Sequence, residues 1–155
     1  MVIHLIAIGT RMPPWVNEAY REYSKRLPAH CRLSLQEIPA GKRGKGADIG
    51  RLVKEEGDRL LAAIPERSWV VALERTGKQM TTEQLAADMQ LRLASGADVV
   101  LLVGGPEGLA EGCLQRADAT WSLSDLTLAH PLVRVVVAEQ LYRAWSIIER
   151  RPYHR

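Results

Sequence analysis

The stretch DVVLLVGGPEGL, residues 98–109, decides the fold class. Its first part, 98–104, is almost uninterruptedly apolar and predicts a strand buried on both faces. Strands of this kind belong to parallel sheets that carry helices on each side. The second part is a glycine-rich turn, which is typical of the entrance to a nucleotide site. The stretch therefore predicts an α/β fold with a mainly parallel sheet.

The rest of the chain alternates short β-type runs with longer helical runs, as βα units do. Further strands are predicted at 2–8, 32–38, 68–73 and, as a short fifth strand, 119–124. Helices are predicted from Pro13–Pro14 through Tyr23, from an Asp48 cap to Pro65, over 81–94 after Thr81 or Thr82, and from about Pro131 to Ile148. No repeat or linker interrupts this pattern, so we expect a single domain over residues 1–155.

The last predicted helix is apolar nearly all round, which requires burial on several sides. Two explanations are open. The second apolar side is covered either by another subunit or by the rest of the same monomer.

Composition limits the possible classes of protein. The chain has 155 residues, of which 46% are hydrophobic and 25% charged, and these values exclude disordered and collagen-like proteins. No charged leader or bilayer-length apolar run is present, so we expect a cytoplasmic protein. Cys31 and Cys113 fit neither a disulfide framework nor a CxxC motif, and the four histidines are scattered. We therefore expect no metal.

The net charge of +3 is too small to indicate an anionic partner, but two cationic segments stand out. The run GKRGKG at 41–46 holds Lys42, Arg43 and Lys45 among glycines, and ERRPYHR at 149–155 is the other. Lys42, Arg43 and Lys45 are either RNA phosphate contacts or part of a solvated loop.

The glycine turn fails both common phosphate motifs, because no lysine follows Gly108 and the spacing is GGxxG. Pro106 lacks an N–H, and Glu107 adds a negative charge. A neutral or cationic ligand such as S-adenosylmethionine fits better. The alternative is a plain turn in which Pro106 begins a helix.

Four stretches, taken together in order and spacing, carry a family resemblance: IPAGKRGKGADI (38–49), LLVGGPEGL (101–109), WSLSDLTLAHPLVRVVVAEQLYRAWSI (121–147) and PYHR (152–155). They resemble the RlmH family of SPOUT methyltransferases over essentially the whole chain. The resemblance implies methylation of N3 of a pseudouridine in 23S ribosomal RNA on the ribosome, with S-adenosylmethionine as cofactor. It also implies a homodimer and a C-terminal trefoil knot. Because protein chains rarely thread through their own loops, general folding rules would not suggest the knot.

The resemblance also implies roles for individual residues. It implies that S-adenosylmethionine contacts the following residues: Leu73, Gly104, Leu123, Ser124, Asp125, Leu126, Thr127 and Leu128. The family often has an aspartate at the position of Glu74, so the contact of Glu74 stays open. For the leucines, core packing is the alternative.

N3 of pseudouridine carries a proton that a base must remove or an anion site must stabilise. His154 and Tyr153 are the candidate bases, and Arg155 is a candidate for stabilising negative charge; the alternative is a frayed cationic tail. Arg134 is either a buried salt-bridge partner or an RNA or cofactor contact. Two other functions stay open: a non-catalytic ribosome-associated RNA-binding module and a small-molecule nucleotide-binding enzyme.

Overall fold

The computed structural model of the protein describes residues 1–155 and contains one five-stranded sheet. The strands are β1 (Val2–Ile8), β2 (Arg32–Ile38), β3 (Trp69–Gln79), β4 (Val99–Val103) and β5 (Ala119–Ser122). The helices are α1 (Pro14–Ser24), α2 (Ile49–Ala62), α3 (Thr82–Ser95), α4 (Glu111–Arg116) and α5 (His130–Ile148). All neighbouring strands are parallel, in the order β2-β1-β4-β3-β5, which confirms the predicted fold class.

The sheet separates two hydrophobic cores, because successive side chains of a strand point to opposite faces. On β4, Val99, Leu101 and Val103 pack with residues of α3 and α5 on one face. Val100 and Leu102 pack on the other face with Leu60 of α2 and Cys113 of α4. Both faces of β4 are thus buried, as its apolar sequence requires.

Polar caps begin two of the helices where the sequence predicts them. The Asp48 carboxylate accepts the Arg51 N–H at 3.1 Å at the start of α2. At the start of α3, Thr81 and Gln84 form a reciprocal capping box, so Thr81 rather than Thr82 is the cap.

Three local features differ from the predictions. β3 continues past residue 73 to Gln79, and its register against β5 shifts between Leu73 and Lys78. α4, which has only six residues, was not predicted because it is too short to show helical periodicity. No helix begins at Pro106, so that alternative for the glycine turn is wrong.

The chain instead folds into a tight turn that the Gly108 N–H closes by donating to the Gly105 carbonyl at 3.0 Å. Gly108 has a φ of +84°, a conformation that favours glycine. The next helix, α4, starts only at Glu111.

None of the helices is both long enough and apolar enough to cross a membrane. The trefoil knot stays a prediction from the family resemblance.

Candidate active site

An open cleft of about 260 Å³ lies at the carboxyl edge of the sheet, where ligands bind in α/β proteins. Its walls come from the middle of β3, the glycine turn after β4, the end of β5 with the following loop, and the start of α5. The lining residues are Leu73, Glu74, Arg75, Val103, Gly104, Gly105, Pro106, Gly108, Trp121, Ser122, Leu123, Ser124, Leu126, Thr127, Leu128, His130 and Val133.

The glycine turn, residues 104–108, forms one wall by exposing backbone to the cleft. A Cβ atom at Gly104 would lie 2.4 Å from the Gly108 carbonyl carbon, so the two backbone segments can approach only without a side chain there. This wall therefore offers peptide groups rather than side chains to a ligand.

The loop after β5 forms the opposite wall, and hydrogen bonds of its own serines shape it. The Ser122 hydroxyl donates to the Ser124 carbonyl at 3.1 Å, and the Ser124 hydroxyl accepts the Leu126 N–H at 3.0 Å. Leu126 nevertheless remains 74% exposed, which is unusual for a leucine. The loop thus presents apolar surface at the mouth of the cleft.

Trp121 and His130 form the inner part of the cleft. Trp121, on β5, is only 5% exposed and packs in the core as well as lining the cleft. The Nε2 atom of His130 is buried without a hydrogen-bond partner. Burial, followed by the nearby Arg134 guanidinium, lowers the pKa of His130, against an opposing effect of the Gly104 backbone.

Arg134 is fully buried beneath this region and does not line the cleft. Its guanidinium donates to Glu37 at 2.6 Å and to the Gly9 carbonyl at 2.7 Å. Arg134 therefore joins α5 to the ends of β1 and β2. Of the two alternatives for this residue, the structure shows the buried salt bridge.

The charge of Glu107 is neutralised from outside the cleft. The Arg43 guanidinium donates to the Glu107 carboxylate at 2.7 Å, and Glu107 does not line the cleft. The expectation that Glu107 makes the site negative is therefore not supported by the geometry. Glu74 is the acidic side chain that lines the cleft.

The C-terminal tail packs on α5 away from the cleft. The Tyr153 hydroxyl donates to Glu139 at 3.1 Å, and the Tyr153 and Tyr142 rings are 4.6 Å apart. About 14 Å of helix axis separates Glu139 from His130, at 1.5 Å per residue. No residue of the tail lines the cleft of its own chain.

Family comparison agrees with this architecture. A family model described as "Predicted SPOUT methyltransferase" matches residues 1–154. The chain belongs to the SPOUT methyltransferase family. The "Ribosomal RNA large subunit methyltransferase H" of Thioalkalivibrio sulfidiphilus is 57% identical over 155 residues, which are 100% of this chain and 99% of that protein. These matches confirm the resemblance drawn from the motifs.

Solved structures share the SPOUT fold at low sequence identity. A "probable methylase family protein" from Haemophilus influenzae Rd KW20 aligns with a TM-score of 0.61 at 14% identity, over 96% of this chain and 68% of that one. A "Probable Methyltransferase" from Bordetella pertussis Tohama I aligns with a TM-score of 0.56 at 13% identity, over 92% and 95% of the two chains. At these identities, the likeness supports the fold alone.

The SPOUT cleft brings together most residues that the family resemblance assigns to the cofactor. Leu73, Gly104, Leu123, Ser124, Leu126, Thr127 and Leu128 all line it. Asp125 does not; its carboxylate accepts the Gln79 side-chain N–H at 2.6 Å. Their contacts with a cofactor stay predictions.

The sequence does not place Arg75, Trp121 and Val133 in the cleft of this SPOUT protein, and it indicates His130 only as a residue at the start of the last helix that caps or shapes the neighbouring loop. Arg75 belongs to the unpredicted continuation of β3, and its guanidinium donates to the Thr127 hydroxyl at 3.4 Å. The periodicity of α5 does not show which of its first residues faces the sheet edge. Only the assembled fold identifies these four.

The three cations that are predicted to bind RNA differ in their ion pairs. Lys42 and Lys45 are exposed and form no ion pair. Arg43, in contrast, is held by Glu56 and Glu107. Lys42 and Lys45 are therefore available to phosphates, whereas Arg43 already has two carboxylate partners.

The two candidate bases in the C-terminal tail lie in different surroundings, since Tyr153 is hydrogen-bonded to Glu139 and His154 is exposed. His154 is exposed, and its Nδ1 lies 2.6 Å from the Arg151 carbonyl, which can only accept. Nδ1 therefore carries the proton, and in the neutral ring Nε2 is a free acceptor. Arg155 is exposed at the end of the chain. No group of three or more His, Cys, Asp or Glu side chains is placed to hold a metal ion.

Proposed function

We propose that this protein is an S-adenosylmethionine-dependent methyltransferase that modifies N3 of a pseudouridine in 23S ribosomal RNA on the ribosome. Membership of the SPOUT family and the name of the 57% identical relative support this proposal. The observation that carries it is the cleft, in which three separate chain segments supply seven of the residues assigned to the cofactor.

The cleft suits the chemistry of S-adenosylmethionine. Leucine and valine side chains offer an apolar surface to the adenine, and the glycine turn offers backbone groups to its polar edge. When bound, the cofactor supplies a methyl group on a positively charged sulfur. Glu74 lines the cleft, and its carboxylate would favour that charge.

The proton on N3 of pseudouridine must leave before this nitrogen becomes a good nucleophile. His154 is the preferred base, because Nε2 of its neutral ring is exposed and free to accept. Arg155, the next residue, would stabilise negative charge on the base or on phosphate. Tyr153 holds the tail through Glu139.

A homodimer would bring the C-terminal tail of one protomer to the cleft of the other. Within one chain the tail lies on α5 away from the cleft, so the tail of one protomer would serve the cleft of its partner. The apolar surface of α5 supports such an assembly, since Leu132 is a large exposed hydrophobic residue near the start of this helix. Lys42 and Lys45 would bind phosphates of the folded RNA.

The test is transfer of a labelled methyl group to ribosomes and to free 23S RNA, with the modified nucleotide mapped. We expect transfer to ribosomes and loss of transfer in a chain truncated after Pro152. No transfer to any RNA would instead indicate a non-catalytic RNA-binding module. Transfer to a different nucleotide would disprove the proposed specificity.

Mixed dimers test whether the tail acts on the partner. One chain is truncated after Pro152, and the other carries Thr127→Trp, which fills the cleft from an exposed position. Each homodimer should be inactive, while the mixed dimer keeps one intact cleft facing one intact tail and should regain activity. An inactive mixed dimer would contradict action on the partner.

A further inference from the structure

The Arg43 side chain connects the basic loop, residues 41–46, to the glycine turn. Its guanidinium donates to both Glu56 carboxylate oxygens, at 2.5 and 2.9 Å, and to Glu107 at 2.7 Å. Hydrogen bonds from the two carboxylates raise the pKa of Arg43. Arg43 in turn lowers the pKa of Glu107, and the pKa of Glu56 is also lowered, because burial, which raises it, is outweighed by the hydrogen bonds from Arg43 and the Gly41 N–H. One arginine thus bridges helix α2 and the turn.

Glu56 anchors this connection inside the protein. It is only 2% exposed, and a buried carboxylate is costly unless charged or polar groups surround it. Besides Arg43, Glu56 accepts the Gly41 N–H at 2.9 Å, at the first residue of the basic loop. The loop is therefore fixed at its start, and Arg43 is fixed with it.

The glycine turn has two faces with different neighbours. Gly104, Gly105, Pro106 and Gly108 face the cleft, while Glu107 is held by Arg43 on the outer side. The fit is close, because a Cβ atom at Gly105 would lie 3.3 Å from the guanidinium and from the Glu56 carboxylate. Three glycines raise the entropy that is lost when the turn is ordered, so a side chain that holds the turn from outside contributes to its order.

We propose that Arg43 is a positioning residue that orders the glycine turn for cofactor binding and holds it in register with the basic loop. The ordering entropy of the turn is then largely lost during folding and not during binding, which raises affinity for the cofactor. The three cations of the loop have separate tasks: Arg43 acts on the turn, and Lys42 and Lys45 act on RNA. The identity of the cofactor rests on the proposed function.

Calorimetric titration with S-adenosylmethionine tests this role. Glu107→Gln removes the charge that Arg43 holds on the turn and should weaken binding by about tenfold. Arg43→Lys, which keeps the charge but loses the two-carboxylate fork, should restore part of the affinity that Arg43→Ala loses. Glu55→Gln is the matched control, because Glu55 is an exposed α2 glutamate that pairs with Arg51 instead.

A second experiment separates the role of Lys42 and Lys45 from the role of Arg43. The double variant Lys42→Gln, Lys45→Gln should raise the KM for ribosomes and leave cofactor affinity unchanged. Glu107→Gln should raise the KM for the cofactor and leave the KM for ribosomes unchanged. A merely structural role of Arg43 would lower thermal stability without this division between the two substrates.

Hydrogen exchange measured on the ligand-free protein tests the bracing role of Arg43 independently of the proposed function. Glu107→Gln should accelerate exchange in residues 104–109 and leave the rest of the chain unchanged. Unaltered exchange and unaltered cofactor affinity in Glu107→Gln would overturn the role of Arg43. If the wild type does not bind S-adenosylmethionine although exchange responds as expected, the proposed function fails and the bracing role stands.

Discussion

Tyr153 donates its hydroxyl to Glu139, so the C-terminal tail is anchored on the middle of α5. The same carboxylate oxygen accepts the Arg143 Nε–H at 2.8 Å, and Arg143 also donates to the Tyr153 carbonyl at 3.4 Å. Burial, followed by the Glu139 charge, raises the pKa of Tyr153, so the phenol stays protonated at neutral pH. Tyr153 is thus better suited to holding the tail than to removing a proton.

Replacing Tyr153 by phenylalanine should lower methyl transfer by about tenfold, because a hydrogen bond to a charged group is lost and the tail is less ordered. Turnover with ribosomes and proteolysis of the tail measure the two effects. Tyr23→Phe, which leaves the Glu139 hydrogen bonds in place, is the control. A tail that is no more open to proteolysis in Tyr153→Phe would contradict the anchoring role, and normal turnover with a loosened tail would show that methyl transfer does not depend on it.

Neutralising Glu74 should discriminate between two ligands that differ in charge at sulfur. Glu74→Gln should weaken binding of S-adenosylmethionine by about fivefold to tenfold and hardly affect S-adenosylhomocysteine, whose sulfur is neutral. Calorimetry with both ligands gives the ratio. Equal losses for the two would show that Glu74 does not act on the sulfonium. Glu107→Gln, as a reference, should weaken both.

Arg134→Met should destabilise the fold by about 1.5–3 kcal/mol, since it removes the buried charge-assisted hydrogen bonds to Glu37 and to the Gly9 carbonyl while the Glu37 carboxylate stays partly open to water. Urea unfolding measures the loss. The matched control is Arg51→Met, which breaks an exposed ion pair with Glu55 and should cost less than about 1 kcal/mol. Similar losses in the two variants would show that the buried pair adds little.

Acid should destabilise the wild type more than His130→Gln. Burial lowers the pKa of His130 in the folded chain, whereas in the unfolded chain it titrates near 6.5. Below about pH 6.5 the unfolded state therefore binds more protons, and stability falls as the pH falls until the folded pKa is passed. Urea unfolding at about pH 7.5 and 5.5 compares the slopes. Equal slopes would disprove the effect of burial.

Much of the fold could be predicted because local signals and tertiary packing agree. β1 and β2 have the predicted bounds, and the caps at Asp48 and Thr81 mark where α2 and α3 begin. The continuation of β3 to Gln79 could not be predicted, because its polar residues are held by pairing with β5 and not by an apolar pattern.

The candidate site was predictable as a set of loops but not in its electrostatics. The motifs identify the glycine turn and the loop after β5, which meet because parallel strands end at the same edge. The partners of Arg43 are Glu56 and Glu107, far away in sequence, and no periodicity links them. For the same reason, the sequence suggests that Glu107 contributes negative charge to the site, whereas in the folded chain its carboxylate pairs with Arg43.

Trp121 gives the cleft an optical signal of its own. It is the one tryptophan among the four of the chain that borders the cleft, and it is otherwise enclosed by the core. A ligand that enters displaces water from one side of the indole, while the other side stays in a constant apolar environment. The intrinsic fluorescence of the unlabelled protein should therefore report occupancy, and Trp121→Phe should abolish that response.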